Sequence, residues 1–307
     1  MLCDCHLHSR FSADSEAEPG DILKTAKELS MPAFCITDHL DFDYPYDEDF
    51  ELDMDRYYPF WSGIRETASG ELPHSLESSP GVGNSSSLSE EINLSGFAPS
   101  PQKEASVLAS PYPEVLIGME TGLEPGYEGR LSEAVHRYPW DFIIGSTHLV
   151  HRRDPYFSSY YAGRTEAAAY REYFESILET LDFCRDFDVY GHIDYVVRYG
   201  PNKNRFYSYE SYADVLDAIL RKLISMGKGI ELNTGGYLKG LGVPNPAPEV
   251  IRRYRELGGE IITVGSDAHN AALVGHHFKE AREVLLDAGF RFYCIFRKRK
   301  PVFLPIS

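Results

Sequence analysis

The sequence predicts an α/β fold closed into a barrel of seven strand–helix units, and three observations carry that prediction. Short β-rich runs recur along the chain, each followed by a segment with the amphipathic period of a helix. The polar residues able to do chemistry gather where these runs end, the place where barrel active sites form, which favours a closed barrel over an open sheet. The chain has 307 residues, 43% of them hydrophobic and 25% charged, enough for one large domain or two ordinary ones with ample core.

The first run, residues 2–6, leads into "CDCHLHSRFSAD", residues 3–14, which overlaps it. The two-residue period of a strand puts His6 and His8 on one face with Asp4, and Cys3, Cys5 and Leu7 on the other. Two adjacent imidazoles repel when protonated and each needs a partner when neutral; a metal ion satisfies both. An isolated H-x-H is equally compatible with a surface strand, so the remaining elements must decide. "GDILKTAKELS" supplies the first helix, and the second run, 33–37, leads into "ITDH" and His39. The acidic stretch "DFDYPYDEDFELDMD", 41–55, reads either as a solvated loop or as a rim that attracts a small cationic substrate. Residues 67–111 are dominated by Ser, Gly and Pro, cannot bury enough apolar surface to offset ordering, and are expected to be a disordered insertion interrupting the 1–307 domain; His74 lies inside it and receives no role.

The third run, 115–119, leads into "GMETG" and Glu120; the fourth, 142–147, into "GSTH" and His148; the fifth, 189–193, into "GHID" with His192. "ESYADVLDAILRKLISMGKG" is a helix stopped by glycines. The sixth run, 229–233, ends at Asn233 in "ELNTGG", which would either touch substrate or cap the following turn. The seventh, 260–265, runs into "VGSDAH" with Asp267 and His269, and "FYCIF" is expected to be an extra strand outside the barrel.

Six of the eleven histidines, His6, His8, His39, His148, His192 and His269, therefore fall at strand ends, accompanied by Asp14, Glu120 and Asp267. Imidazoles and carboxylates buried at that density carry a large desolvation cost unless cations offset it. A multinuclear metal centre is the expected solution. The net charge of −17 argues against nucleic acid as the main partner, because phosphates need Lys and Arg to displace their counterions. No apolar run reaches the ~18 residues of a membrane span. No basic segment followed by an apolar one opens the chain, and the five cysteines, at 3, 5, 35, 184 and 294, form no CxxC pair and suit buried free thiols. The expected location is the cytoplasm.

With these residues in view, the sequence resembles the PHP (polymerase and histidinol phosphatase) superfamily, and within it the histidinol-phosphatase branch. The motifs are "DCHLHSRFSADS", "ITDHLDFDYP", "GMETG", "IGSTHLV", "YGHIDYVVRYG", "GIELNTGG" and "GGEIITVGSDAH", in that order across the chain outside 67–111. The resemblance implies a distorted (β/α)7 TIM-like barrel with three divalent ions at the C-terminal ends of its strands. It would assign His6, His8, Glu120 and Asp267 to the first ion, a bridging Glu120 with His148 and His192 to the second, and Asp14, His39 and His269 to the third. Mixed imidazole and carboxylate ligands suit Zn, Fe or Mn better than Ca or Mg. It further implies a phosphomonoesterase acting on L-histidinol phosphate in histidine biosynthesis, with hydroxide shared by two ions as the nucleophile. Glu120 and Asp267 would belong to the catalytic centre, and Arg164 and Arg198 would grip phosphate as planar guanidiniums do; the alternative for each arginine, weaker for Arg198 than for Arg164, is a surface residue. Other branches, nucleotide phosphatases, nucleases or protein-tyrosine phosphatases, would use the same site on other substrates. A barrel that has become a non-catalytic scaffold is the reading from a different class, and it sits poorly with every ligand position being filled.

Overall fold

The computed structural model describes residues 1–68 and 112–306. Most of the 67–111 stretch, and with it the expected disordered insertion, lies outside the described residues; its first two residues, Thr67 and Ala68, finish a helix. In chain order the elements are α1 (Pro19–Glu28), β1 (Ala33–Ile36), β2 (His39–Leu40), α2 (Met54–Thr67), β3 (Glu114–Gly122), α3 (Glu128–Arg137), β4 (Phe142–Ser146), α4 (Glu166–Phe183), β5 (Val189–Tyr190), α5 (Ala213–Ser225), β6 (Gly229–Asn233), α6 (Gly235–Leu238), α7 (Pro248–Glu256), β7 (Ile262–Gly265), α8 (Phe278–Asp287), β8 (Phe292–Arg297) and β9 (Lys300–Pro305).

The parallel sheet runs β1-β3-β4-β5-β6-β7, with β2 paired to β3. β1, β4, β5, β6 and β7 are buried along their whole length, as strands covered on both faces must be. The helices form where the sequence starts and stops them. Pro19 opens α1, the Asp53 carboxylate caps α2 by accepting from Arg56 N, and the Thr165 hydroxyl caps α4 by accepting from Ala168 N. α5 buries Val215, Leu216, Ile219, Leu220 and Leu223, the three-and-four spacing of one helix face.

The first run corrects the sequence expectation. Residues 4–8 occupy a stave position between β1 and β7, but as isolated bridges, Asp4 to Phe34 and Leu7 to Ala268, rather than as a regular strand over 2–6. Side chains interrupt the ladder: His6 N donates to Asp4 Oδ1 and Leu7 N to Thr37 Oγ1. The remaining backbone groups still stitch both edges together, through Cys35 N to Asp4 O at 2.7 Å, Thr37 N to Leu7 O at 2.8 Å and Cys5 N to Val264 O at 2.9 Å. This segment curls the six-strand path towards closure and supplies the seventh stave.

The expected extra strand is one arm of an antiparallel hairpin, β8–β9, packed under the N-terminal ends of the staves. Arg297 pairs with Glu114 at 2.6 Å, Arg299 with Asp188 at 2.6 Å, and Cys3 N donates to Tyr293 Oη at 3.1 Å. Arg297 and Arg299, two of the four basic residues in "FRKRKP" (296–301), are thus tied to acids at the base of the barrel. All five cysteines are buried and free. Among the described residues no helix is long and apolar enough to cross a membrane.

Candidate metal centre

The staves deliver their terminal side chains to one place. Glu120, fully buried at the end of β3, is its hub. Its Oε1 lies 2.8 Å from His192 Nε2, 3.2 Å from His148 Nε2 and 2.7 Å from Ser146 Oγ. Its Oε2 faces the other way, 3.1 Å from His6 Nε2, 3.1 Å from His39 Nδ1 and 3.5 Å from His8 Nε2. Asp267, beyond β7, is the second hub: Oδ1 stands 3.6 Å from His6 Nε2, 3.4 Å from His8 Nε2 and 3.7 Å from His269 Nδ1. Its backbone has φ +57°, a left-handed conformation that few residue types other than Gly, Asn and Asp tolerate, and which turns the chain immediately after the stave. Asp14 lies 3.1 Å from His269 Nε2 and 3.8 Å from His39 Nε2.

A second layer fixes how the imidazoles point. His6 Nδ1 meets Glu231 Oε1 at 2.6 Å, and His148 Nδ1 meets Asp41 Oδ1 at 2.7 Å. Ser12 gives its one hydroxyl hydrogen to Asp38 Oδ1 at 2.7 Å, so it accepts from His8 Nδ1 at 3.1 Å. Each of these three rings therefore donates through Nδ1 to its orienting partner and turns Nε2 inward. This is the arrangement of metal-bound histidine. His6 and His8 bring those two nitrogens within 3.0 Å of each other, a contact that needs a cation or a proton between them.

The donor set fits divalent metal. Glu120 Oε2, His39 Nδ1 and His192 Nδ1 are buried with no hydrogen-bond partner, although imidazole nitrogens surround the carboxylate oxygen. Four overlapping groups bring possible ligand atoms within 4.8 Å of one another: His6, His8 and Asp267; His6, Glu120 and His192; His8, His39 and His269; and His39, Asp41 and His148. Asp41 appears in these groups and Asp14 does not.

Without cations the array balances its charges by holding protons. Burial disfavours a charged His6, but the carboxylates of Glu231, Glu120 and Asp267 outweigh it and raise its pKa well above 6.5. Burial likewise opposes His148, and Asp41 and Glu120 raise it well above the ordinary value. Burial would lift Glu120, but His6, His148 and His39 hold it well below the usual range. His269, also opposed by burial, is raised to about 9 by its bond to Asp14. Metal must displace these protons, so uptake releases them and apparent affinity rises with pH through the raised values, continuing to about 9 for His269. Chelator-competition titrations from about pH 6 to about pH 9 should show this slope; an affinity independent of pH would contradict it.

The residues that sequence reasoning missed belong to the orienting layer. Glu231 sits mid-strand in β6, fully buried, and also accepts from His192 N at 3.1 Å and from Asn233 Nδ2 at 3.1 Å. Two glycines in the quoted motifs mark the close approaches. A Cβ on Gly265 would fall 2.4 Å from Glu231 Oε1, and one on Gly122 would collide with the Asp41 carboxylate. Replacing Glu231 with Gln keeps the volume but weakens the grip on His6 Nδ1, and should lower metal affinity about 10- to 100-fold, measured by metal titration of the stripped protein.

The two arginines separate. Arg198, buried, joins the array: Nη1 donates to Asp267 Oδ2 at 2.7 Å, Nη2 to Asn233 Oδ1 at 2.7 Å and Nε to Asn245 Oδ1 at 2.8 Å. Arg164 does not reach it. Its guanidinium is engaged by Glu172 and the Tyr160 carbonyl and lies over the Tyr160 ring at 4.1 Å. Asn233 is satisfied inside the protein, its Oδ1 accepting from Arg198 and from Gly235 N at 2.8 Å.

A parallel α/β barrel whose mouth converges six imidazoles and three carboxylates into groups able to hold metal is the class of protein that fold and site define. The PHP domain matches residues 4–235, well over half of the chain, and the chain belongs to that family. It is 26% identical over 306 residues to the histidinol-phosphatase of Lactococcus lactis subsp. lactis, covering 97% of this chain and 95% of that protein. It is 26% identical over 281 residues to a Clostridium acetobutylicum protein named "Probable histidinol-phosphatase", covering 92% and 91%. Its fold is similar to the crystal structure of the Lactococcus lactis histidinol phosphate phosphatase complexed with Zn, L-histidinol and phosphate, with a TM-score of 0.78, 25% identity and 98% of both chains covered.

Proposed function

We propose that this chain is a histidinol-phosphatase, a metal-dependent phosphomonoesterase that hydrolyses L-histidinol phosphate to L-histidinol and phosphate in histidine biosynthesis. The observation that carries the reading is the convergence of His6, His8, His39, His148, His192 and His269 on Glu120 and Asp267, beside the buried Arg198. Full-length similarity to proteins named for that activity, and to a structure holding L-histidinol, phosphate and Zn, supports it.

Three divalent ions, of Zn, Fe or Mn, would be held by His6, His8, Glu120 and Asp267; by Glu120, His148 and His192; and by Asp14, His39 and His269, with Asp41 a further donor beside His39 and His148. Bound ions would supply Lewis acidity for water and for the phosphoryl oxygens. The protein's own contribution is to hold Nε2 of His6, His148 and His8 inward through Glu231, Asp41 and Ser12 respectively, and to keep Glu120 ionised between two groups of imidazoles. Arg198 has five N–H groups and spends three on Asp267, Asn233 and Asn245, leaving donors for a phosphate oxygen. Arg164 would reach phosphate only by leaving Glu172.

The test is phosphate release by protein loaded with Mn or Zn, comparing L-histidinol phosphate with nucleotides and phosphotyrosine. Preference for histidinol phosphate is the expected result. Activity confined to nucleotides or phosphotyrosine would keep the site and overturn the substrate.

A further inference from the structure

The mouth of the barrel carries a circuit of aromatic rings beyond those of the metal-binding array. One arm leaves His39, which meets Phe50 edge-on at 5.2 Å, and continues through Tyr44 at 4.8 Å, Tyr46 at 5.3 Å and Phe157 at 4.3 Å. The other returns through Tyr156, Tyr199 and Tyr195 to His192, each step between 5.0 and 5.2 Å. The array closes the circuit, since His148 lies 5.2 Å from His39 and 5.7 Å from His192. Tyr44, Tyr46, Phe50 and Phe157 are only partly buried, unlike the aromatic residues of the core.

The two arms differ in what already covers them. In the second, Tyr195 lies under the Arg198 guanidinium at 5.4 Å and Tyr199 under Lys239 at 5.5 Å. Among the described residues no Lys or Arg sits over Tyr44, Tyr46, Phe50 or Phe157. Behind that open arm stands Asp154, 4% exposed. It accepts from Tyr44 Oη at 2.6 Å and from Tyr156 N at 2.7 Å, and its own N–H donates to Tyr46 Oη at 3.3 Å. Among the described residues no cationic side chain forms an ion pair with it, and two hydrogen bonds leave part of a carboxylate's capacity free. The same loop exposes Asp47, Glu48 and Asp49, whereas its neighbours Asp43 and Glu51 are taken by Arg130. Electron-rich ring faces, a buried carboxylate with spare lone pairs and a local excess of negative charge are the features that recognise an organic cation.

We propose that Tyr44, Tyr46, Phe50 and Phe157, with the Asp154 carboxylate behind them, form the subsite for a cationic group on the alcohol part of the substrate. The enzyme therefore selects phosphomonoesters of cationic alcohols over neutral ones. The inference rests on the phosphatase reading above and deepens it, because histidinol carries an ammonium group and a basic imidazole.

Three esters of alkyl alcohols test it on the metal-loaded full chain: L-histidinol phosphate, phosphocholine as a cation without an imidazole, and 2-phenylethyl phosphate as a neutral ester. The wild type should favour the cationic esters by about tenfold or more in kcat/KM. Asp154→Asn should shrink that ratio about tenfold, chiefly through KM. Should Asp154→Asn not fold, Tyr46→Leu, which removes a ring face, should reduce the ratio, and Tyr46→Phe, which keeps it, should preserve it. Variants that retain the wild-type ratio overturn the subsite and leave the histidinol-phosphatase reading intact. Better turnover of phosphocholine than of histidinol phosphate, lost in the variants, supports the subsite and overturns that reading. A wild-type preference for 2-phenylethyl phosphate overturns the subsite, and with slow turnover of histidinol phosphate it overturns both.

Discussion

Glu120→Gln should reduce phosphate release about 10³-fold or more and leave the purified protein with less bound metal. The substitution keeps volume and planarity, so the fold should survive and the far-UV circular dichroism should match the wild type. What changes is the donor chemistry at the hub. An ionised Glu120 offers one oxygen to His148 and His192 and the other to His6, His8 and His39. An amide has a single acceptor oxygen, so one of those two groups must face an NH2 instead. It also removes the negative charge that burial would otherwise make costly and that the surrounding imidazoles stabilise. Added Zn or Mn should raise the melting temperature of the wild type by mass action and do much less for the variant. Normal turnover with a full metal complement in Glu120→Gln would exclude the carboxylate as a bridge between ions. Metal lost without activity lost would place the chemistry elsewhere in the mouth.

What could be read from the sequence follows the range of the forces involved. His148 and His192 were visible because a strand end is a local event, an apolar run followed by a polar residue, and a barrel gathers all such ends at one mouth. The seven-stave order was visible for the same reason. Glu231 and Asp41 were hidden because their partners, His6 and His148, lie 225 and 107 residues away along the chain. Only the glycines that make room for them hinted at crowding, and a glycine does not name what crowds it. Residues 4–8 look like a strand by alternation, yet Asp4 and Thr37 take amide hydrogens that a ladder would use. The acidic stretch at 41–55 proved to be several things at once: Asp53 caps α2, Asp43 and Glu51 pair with Arg130, Asp55 pairs with Arg137, and Asp41 orients His148. Arg164 follows His148 closely in sequence, but the direction of the intervening loop is a tertiary property, and that loop carries it to Glu172 on α4.

Arg198→Ala tests the residue whose two roles are hardest to separate. The guanidinium is buried, and it bridges Asp267 to Asn233 and Asn245; the Asn245 amide in turn donates to Asp194 Oδ1 at 2.6 Å. Gly235 lets it pack there, since a Cβ at that position would stand 3.1 Å from Nη2. Truncation leaves Asn245 Oδ1 without a donor and takes from Asp267 its one arginine partner, and breaking a buried pair costs about 3–5 kcal/mol. Metal at the site would offset part of that loss by giving the Asp267 charge another partner. The metal-loaded variant should therefore remain folded with a lowered melting temperature. If Arg198 also grips phosphate, kcat/KM for histidinol phosphate should fall about 10²-fold, and the inhibition constant for inorganic phosphate should rise at least about tenfold. Arg198→Lys restores charge but cannot aim donors in three directions from one planar group, so it should recover stability better than phosphate affinity. An unchanged KM and unchanged phosphate inhibition beside a lowered melting temperature would make Arg198 a brace for Asp267 alone. The anion would then be held by the bound ions or by another cationic side chain of the mouth, and Arg164→Ala measured with the same two readouts would show whether that side chain is Arg164.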